Sequence, residues 1–167
     1  MDTSDTDKKI GDISKNTTKY QDKRKETYNK YAIKINGYID SLETVINKAI
    51  TSGSSANAWT EIQINKILKN IEDTLNSMTK SINSITEQAR NWYDDAMNKM
   101  KATSIKSNYA KMGKECSDEM AQEMAKNIPH PSIDSILPEI HIDFNIPENT
   151  EVEEWKQIEL KKIPLLE

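Results

Sequence analysis

Proline is absent from residues 1–128 of this chain, and all five of its prolines lie in residues 129–167. Because proline lacks a backbone N–H and clashes with the preceding helical turn, a long proline-free stretch permits continuous helix. We therefore expect a long helical region over residues 15–128, after a polar and flexible N-terminus over residues 1–14. The prolines predict an extended, turn-rich tail over residues 129–167.

Apolar residues repeat with helical spacing through the first part of the helical region. They fall at the first, fourth and fifth positions of successive heptads, in a stripe that includes Tyr28, Ile35 and Leu42. The run ends near Gly53, which can adopt the left-handed conformation that stops a helix. We predict a first helix over about residues 16–51.

The second run of apolar residues is longer and more regular. Its members recur every seven residues, at Leu68, Leu75, Ile82, Ala89 and Ala96. This repeat is typical of coiled-coil-like packing and predicts a helix over about residues 57–127, antiparallel to the first. The register slips after Ala96, so we expect a stutter or a break near residues 103–108, and continuity through Gly113 stays open.

The two predicted helices differ in length, and this leaves part of the second one alone. At 1.5 Å per residue they span roughly 54 and 106 Å. In an antiparallel hairpin that turns near Gly53, the N-terminal end of the first helix therefore lies opposite about residue 93 of the second. The apolar stripe beyond that point then either folds back as a third helix or packs against other copies of the chain. The candidate contact residues in this stripe are Met97, Met100, Tyr109, Met112, Met120 and Met124.

Alternating apolar and polar residues from Glu139 to Ile146 predict a β-strand in the tail. A second, weaker strand follows Trp155. Because two strands alone are marginal in water, we expect this short β-hairpin to dock on its own helices, on a neighbouring copy or on the sheet edge of a partner. The candidate docking residues are Ile140, Ile142, Phe144, Ile146, Trp155, Ile158 and Leu160. The expected fold is thus mainly α, a long antiparallel helical hairpin or coiled-coil-like bundle with an extended C-terminal docking tail.

No pattern in the sequence predicts catalysis. It contains no glycine-rich phosphate loop, no nucleophile elbow, no zinc-protease motif and no paired cysteines, since Cys116 is the only cysteine. Polar residues from Glu139 to Asn145 would share a strand face with His141, but one histidine at this spacing is not a recognised metal site. We therefore expect no enzyme activity, no cofactor and no bound metal.

Charge is distributed unevenly along a chain whose net charge is −4. The range from Lys15 to Lys34 contains seven basic and two acidic residues, whereas the range from Glu139 to Glu167 contains eight acidic and three basic residues. The basic run could contact nucleic acid, but its tyrosines fall on or near the apolar stripe. We interpret it as a solvated face that can also attract the acidic tails of other subunits, and we expect no nucleic-acid partner. No apolar run is long enough for a membrane span, and the N-terminus lacks a signal-peptide core.

Two likenesses bear on function. The turn Ala58, Trp59, Thr60, Glu61 resembles that of the small secreted helical hairpins of the WXG type, with Glu61 in place of the motif's glycine. This resemblance implies one class of function, namely a helical binding module, adaptor, chaperone or effector that engages one protein partner. The layout of a long helical region followed by a small β element is also similar to that of fibrous subunits of virions and phage tails.

The second likeness gives the function that we expect. It is a non-enzymatic structural subunit of a large assembly, a phage or virus particle or a phage-like tail, made in a host cytoplasm. Such a subunit oligomerises through its helical stripe and docks by its C-terminal tail, so its partners are copies of itself or neighbouring subunits. The binding module stays the alternative, with a cytoplasmic location or secretion without a signal peptide.

Overall fold

The computed structural model describes most of the chain, namely residues 4–52, 58–133, 137, 156 and 159–167. Within these residues the chain is mainly helical, as the proline distribution predicts. The helices are α1 (Ser4–Ser52), α2 (Ala58–Lys111) and α3 (Asp118–Lys126). None of the described helices is long and apolar enough to cross a membrane, which agrees with the expectation from the sequence.

The observed helix bounds differ from the predicted ones at two places. The first helix starts at Ser4 rather than near residue 16, so the polar N-terminal residues from Ser4 onward continue α1. The second helix ends at Lys111 and does not break near residues 103–108. Residues 4–14 carry only Ile10 and Ile13 as apolar positions, too few to produce a recognisable helical period.

Gly113 explains why α2 ends where it does. Its φ of 68° is left-handed, a conformation that glycine adopts without steric cost. The Gly113 N–H donates to the carbonyl of Ala110 at 3.0 Å, and the Lys114 N–H donates to the carbonyl of Tyr109 at 2.9 Å. These two bonds form a Schellman motif, which satisfies the last carbonyls of the helix.

The turn after α2 leads directly into α3. Ser117 caps the new helix, because its hydroxyl accepts a hydrogen bond from the Met120 N–H at 3.1 Å. Asp118 and Glu119 lie in the first turn, where carboxylates interact favourably with the helix dipole. The stretch predicted as one long second helix is therefore two helices, with the break at residues 112–117.

The described residues form two compact units. Unit 1 contains the residues of α1 up to Arg24, those of α2 from Ser84, α3 and the segment after it to Leu137. Unit 2 contains the rest of α1 and of α2, between Lys25 and Asn83, together with the described C-terminal residues.

Unit 2 is an antiparallel pair of helix segments. The stripe that the heptads predict forms its core: Tyr28, Ile35, Ile39 and Leu42 of α1 are buried, as are Ile64, Ile71 and Met78 of α2. Near one end of the core, the Tyr31 hydroxyl lies 3.1 Å from the Ser81 hydroxyl. The long helical hairpin expected from the sequence is confirmed here as two packed helices.

Unit 1 also pairs α1 with α2 in antiparallel fashion. The Lys9 Nζ donates to the Thr103 hydroxyl at 2.8 Å, and the rings of Tyr20 and Trp92 are 6.1 Å apart, so α2 falls by eleven residues as α1 rises by eleven. Met97 packs in the same core as Ile13. The expected lack of a partner beyond residue 93 therefore does not hold for Met97, because α1 begins earlier than the length argument assumed.

The predicted β-hairpin falls almost wholly on residues that the structure does not describe, which include Ile140, Ile142, Phe144, Ile146, Trp155 and Ile158. It stays a prediction. The described end of the tail, Glu159–Glu167, forms no strand.

Candidate functional site

The C-terminal segment Glu159–Glu167, which we call the strap, lies along the helices of unit 2. Its contacts repeat every three residues: Leu160, Ile163 and Leu166 pack against the core, and the residues between them are exposed. A repeat of three is that of polyproline II, an extended conformation whose backbone makes no internal hydrogen bonds. The strap backbone is therefore free to bond to side chains of the helices.

Two asparagines of α1 hold that backbone, and each does so through a reciprocal pair of bonds. The Asn36 amide donates to the Ile163 carbonyl at 2.9 Å and accepts from the Ile163 N–H at 2.7 Å. The Asn29 amide does the same for Leu166, at 2.9 and 2.8 Å. Because a carboxamide presents a donor and an acceptor side by side, it matches the backbone of one extended residue.

The spacing of these two clamps suits the strap. Asn29 and Asn36 are seven residues apart, which corresponds to about 10.5 Å along a helix axis. Ile163 and Leu166 are three residues apart, about 9.3 Å in polyproline II. Pro164 lies between the two residues that the asparagines bind. Its lack of an N–H costs no hydrogen bond there, because the asparagines accept from the N–H groups of Ile163 and Leu166.

Three further contacts fix the strap in register, antiparallel to α1. Lys162 forms an ion pair with Asp40 at 3.0 Å at one end, and the Lys25 Nζ donates to a main-chain oxygen of Glu167 at 3.3 Å at the other. Between them the Tyr28 hydroxyl donates to the Pro164 carbonyl at 3.5 Å. Burial raises the pKa of Tyr28, so the phenol keeps the proton that it donates. We call the face of α1 from Lys25 to Asp40 the strap groove.

Sequence reasoning anticipated only part of this site. It placed Leu160 in a docking tail and named the chain's own helices as one possible support, and Leu160 does pack against α1 and α2. It missed Asn29 and Asn36. The available signal was that each asparagine directly follows a core position, Tyr28 or Ile35, in consecutive heptads.

A second candidate surface lies on α3 in unit 1, where small residues face inward. Ala121 and Ala125 are fully buried and pack with Ala102 of α2. The large apolar side chains of the helix and its C-terminal end point elsewhere: Met120, Met124 and Ile128 are 47%, 37% and 44% exposed. Their four-residue spacing places them on one side, and we call them the methionine row.

The other predicted contact residues of the stripe fall into two groups. Tyr109 and Met112 lie near the end of α2; the Tyr109 hydroxyl is 3.9 Å from the Met124 sulfur, and Met112 is exposed. Met97 and Met100 instead line a cavity of about 430 Å³ together with residues of α1. The structure thus brings Tyr109 to the methionine row and places Met97 and Met100 against α1.

That cavity has an apolar wall, and Ser14 and Gln21 are among its polar lining residues. Ile10, Ile13 and Tyr93 complete its apolar lining. The hydroxyls of Thr17 and Thr18 also line it, but they donate to the α1 carbonyls four residues earlier, at 2.8 and 3.1 Å. Since specific small-molecule sites require converging polar groups, we assign no ligand to it.

His130 anchors the segment after α3 to α2. Its Nε2 lies 2.8 Å from the Asp94 carboxylate and its Nδ1 lies 2.8 Å from the Lys101 ammonium. Because an ammonium only donates, Nδ1 accepts and the ring proton resides on Nε2, which donates to Asp94. Lys101 also donates to the carbonyl of Ile128. This cluster therefore fixes the end of the methionine row.

Tyr93 packs edge-on to the same histidine, with ring centroids 5.6 Å apart. Burial, and secondly the nearby charge of Asp94, raises the pKa of Tyr93. Within the described part of the chain, no group of three or more histidine, cysteine, aspartate or glutamate side chains could hold a metal ion. The contacts of the cluster are those of a structural anchor.

The chain matches no protein family, no curated protein and no solved structure. Its two candidate surfaces, the strap groove of unit 2 and the methionine row of unit 1, are therefore the observations from which a function can be argued.

Proposed function

We propose that this chain is a non-enzymatic structural subunit of a large assembly and that it contacts a neighbouring copy through the methionine row. The supporting observation is the burial pattern of α3. Burying a methionine stabilises a fold by roughly 1.5–3 kcal/mol, so a helix that served only its own chain would turn its methionines inward. In α3 the buried residues are Ala121 and Ala125, while Met120 and Met124 are exposed.

The chemistry of the row suits a protein partner. Methionine is flexible and polarizable, so it adapts to apolar surfaces of different shapes. Exposed charged residues border the row, including Asp118, Glu119, Glu123 and Lys126. An apolar centre with a charged rim is the usual composition of a protein interface.

A second copy of the chain is the partner that the charges favour. The acidic residues Asp118 and Glu119 lie in the first turn of α3, and Lys126 lies in the last. In an antiparallel pair of α3 helices related by a two-fold axis, Lys126 of one copy would oppose the acidic end of the other. The apolar rows would meet between these charges.

The setting that we propose is a phage or virus particle or a phage-like tail, in which a helical subunit repeats many times. In this proposal the long helices are the scaffold and the tail docks. The strap lies on the chain's own helices, and we propose that residues such as Ile140, Phe144 and Trp155 dock on a neighbour.

A helical binding module is the second candidate function. It would use the same row to engage one different protein. This alternative is favoured by the small size of α3, which has 9 residues and offers room for a single short contact.

The mass of the protein in solution tests the proposal. We expect light scattering to give a mass above the 19.1 kDa of one chain, and we expect M120E/M124E to lower that mass. The matched control is Q122E, which adds a charge to an exposed position of the same helix and should leave the mass unchanged. If the wild-type chain were a monomer at every concentration, self-assembly would be excluded in favour of the binding module.

A further inference from the structure

We propose that the strap groove is a binding site for an extended peptide in trans, and that its occupant is the strap Glu159–Glu167 of a second copy. This inference rests on the proposed function and deepens it, because it names a second contact by which one subunit holds the next. It concerns residues of unit 2, whereas the methionine row belongs to unit 1.

The contacts that hold the strap are complete within its nine residues. Two backbone positions are bound by Asn29 and Asn36, the Pro164 carbonyl by Tyr28, and the ends by Lys25 and Asp40. The strap of another copy offers the same groups in the same order. Exchange of identical segments between copies therefore loses none of these contacts, which is why such swaps form at low cost.

The chemistry of the groove defines the peptide that it accepts. The clamps bind the backbone of two residues three apart, so they require an extended segment with an N–H at both positions. The core accepts an apolar side chain at every third residue, as in Leu160, Ile163 and Leu166. Asp40 pairs with the basic residue directly before the central apolar one. The strap satisfies all of these requirements.

The strap is also among the parts of unit 2 that can open separately. Ile163 is its one buried side chain, whereas Leu160 and Leu166 are half-buried. Segments with few buried contacts open at a lower free energy than the helical core. Attachment to its own chain favours binding in cis, so trans occupancy rises with the local concentration of copies, which is high inside an assembly.

Chemical cross-linking of isotopically mixed protein tests this proposal with the full wild-type chain. Equal amounts of ¹⁵N-labelled and unlabelled chain are incubated together over a range of concentrations and treated with a zero-length carbodiimide. The reagent joins Lys162 to Asp40, whose charged atoms lie 3.0 Å apart. Mass spectrometry of the digested links then tells whether the two residues came from one chain or from two.

The same digest contains an internal control. Lys99 and Asp95 form an ion pair of 2.9 Å within α2, four residues apart, so their link always joins residues of one chain. We expect Lys162–Asp40 links of mixed isotope, whereas the Lys99–Asp95 links stay unmixed. Because trans binding is bimolecular, the mixed share should rise roughly in proportion to concentration, up to the half expected for random pairing.

Two variants separate this proposal from the methionine row. N29A/N36A should lower both mixed and unmixed Lys162–Asp40 links several-fold, since the strap is no longer held. M120E/M124E should leave the mixed links in place. Lys162–Asp40 links of a single isotope at the highest soluble concentration would overturn the proposal, as would mixed links that persist undiminished in N29A/N36A.

Discussion

The strap groove and the methionine row are two apolar surfaces of the same chain, of which the first is covered and the second is exposed. In unit 2 the groove is covered by a segment of the chain, and the backbone of that segment is bound by paired amide hydrogen bonds. In unit 1 the alanines of α3 are buried and its methionines are exposed. The first surface is complete in one chain, whereas the second offers apolar area to a partner.

This difference concerns specificity as well as burial. Reciprocal hydrogen bonds from Asn29 and Asn36 work only if the strap is extended and in one register, because each bond depends on direction and distance. A contact through methionines requires apolar area on the partner, but it does not require precise distances or directions. We therefore expect the groove to select one segment and the row to tolerate variation in its partner.

The largest effect should follow from enlarging the buried side of α3. A121L places a leucine at a fully buried alanine that packs in one cluster with Ala102, so we expect overpacking and a loss of about 1–3 kcal/mol in the free energy of unfolding. Urea denaturation followed by circular dichroism measures it. Q122L, at the exposed neighbouring position, should change that free energy little. Equal effects of the two variants would show that α3 does not pack through its alanines.

A smaller effect should follow from removing one clamp in unit 2. N36A deletes both bonds to Ile163, and we expect a cost of about 1 kcal/mol. The cost is limited because the strap can leave the groove and return its polar groups to water. The sharper readout is amide hydrogen exchange, which should accelerate in residues 159–167 and little in α2.

N47A is the matched control for that experiment, since Asn47 is an exposed asparagine of the same helix. It should leave exchange in the strap unchanged. If N36A also left it unchanged, the asparagine clamps would not be what holds the strap.

The smallest expected effect is a loss of stability at alkaline pH, which depends on one buried tyrosine in each unit. The pKa of Tyr28 and that of Tyr93 are raised, chiefly by burial, so the folded protein holds these protons more tightly than the unfolded chain does. This contribution is fully present below the unfolded pKa of about 10 and is lost as the pH rises through the folded pKa. The thermal midpoint should therefore fall above about pH 10.

Phenylalanine variants assign that loss to a unit. Y28F and Y93F should each make the decline with alkaline pH shallower, measured by thermal denaturation along a pH series. A decline of unchanged steepness in both variants would contradict the assignment.

The heptad pattern predicts two long packed helices and the core of unit 2, because those contacts repeat along the chain. Other features depend on contacts that leave no local period. The start of α1 at Ser4 depends on contacts such as that between Lys9 and Thr103. The clamps join residues 127 and 137 positions apart in sequence.

The end of α2 and the alanine face of α3 could be predicted from the sequence only in part. Gly113 was visible as a possible stop, but a glycine alone does not distinguish a cap from a tolerated interior residue. The heptad period predicts the methionines as contact residues of one apolar stripe. Which of them point inward depends on how α3 packs on α2, and the period alone does not give this.

The central claim is that the methionine row of unit 1 is a surface through which copies of the chain meet. Amide hydrogen exchange of the full chain, measured over a wide range of protein concentration, tests it most directly. We predict that protection in residues 109–128 rises with concentration, while residues 25–52 and 58–83 keep the same protection throughout. Protection in residues 109–128 that is independent of concentration, or a rise confined to residues 25–83, would contradict the claim.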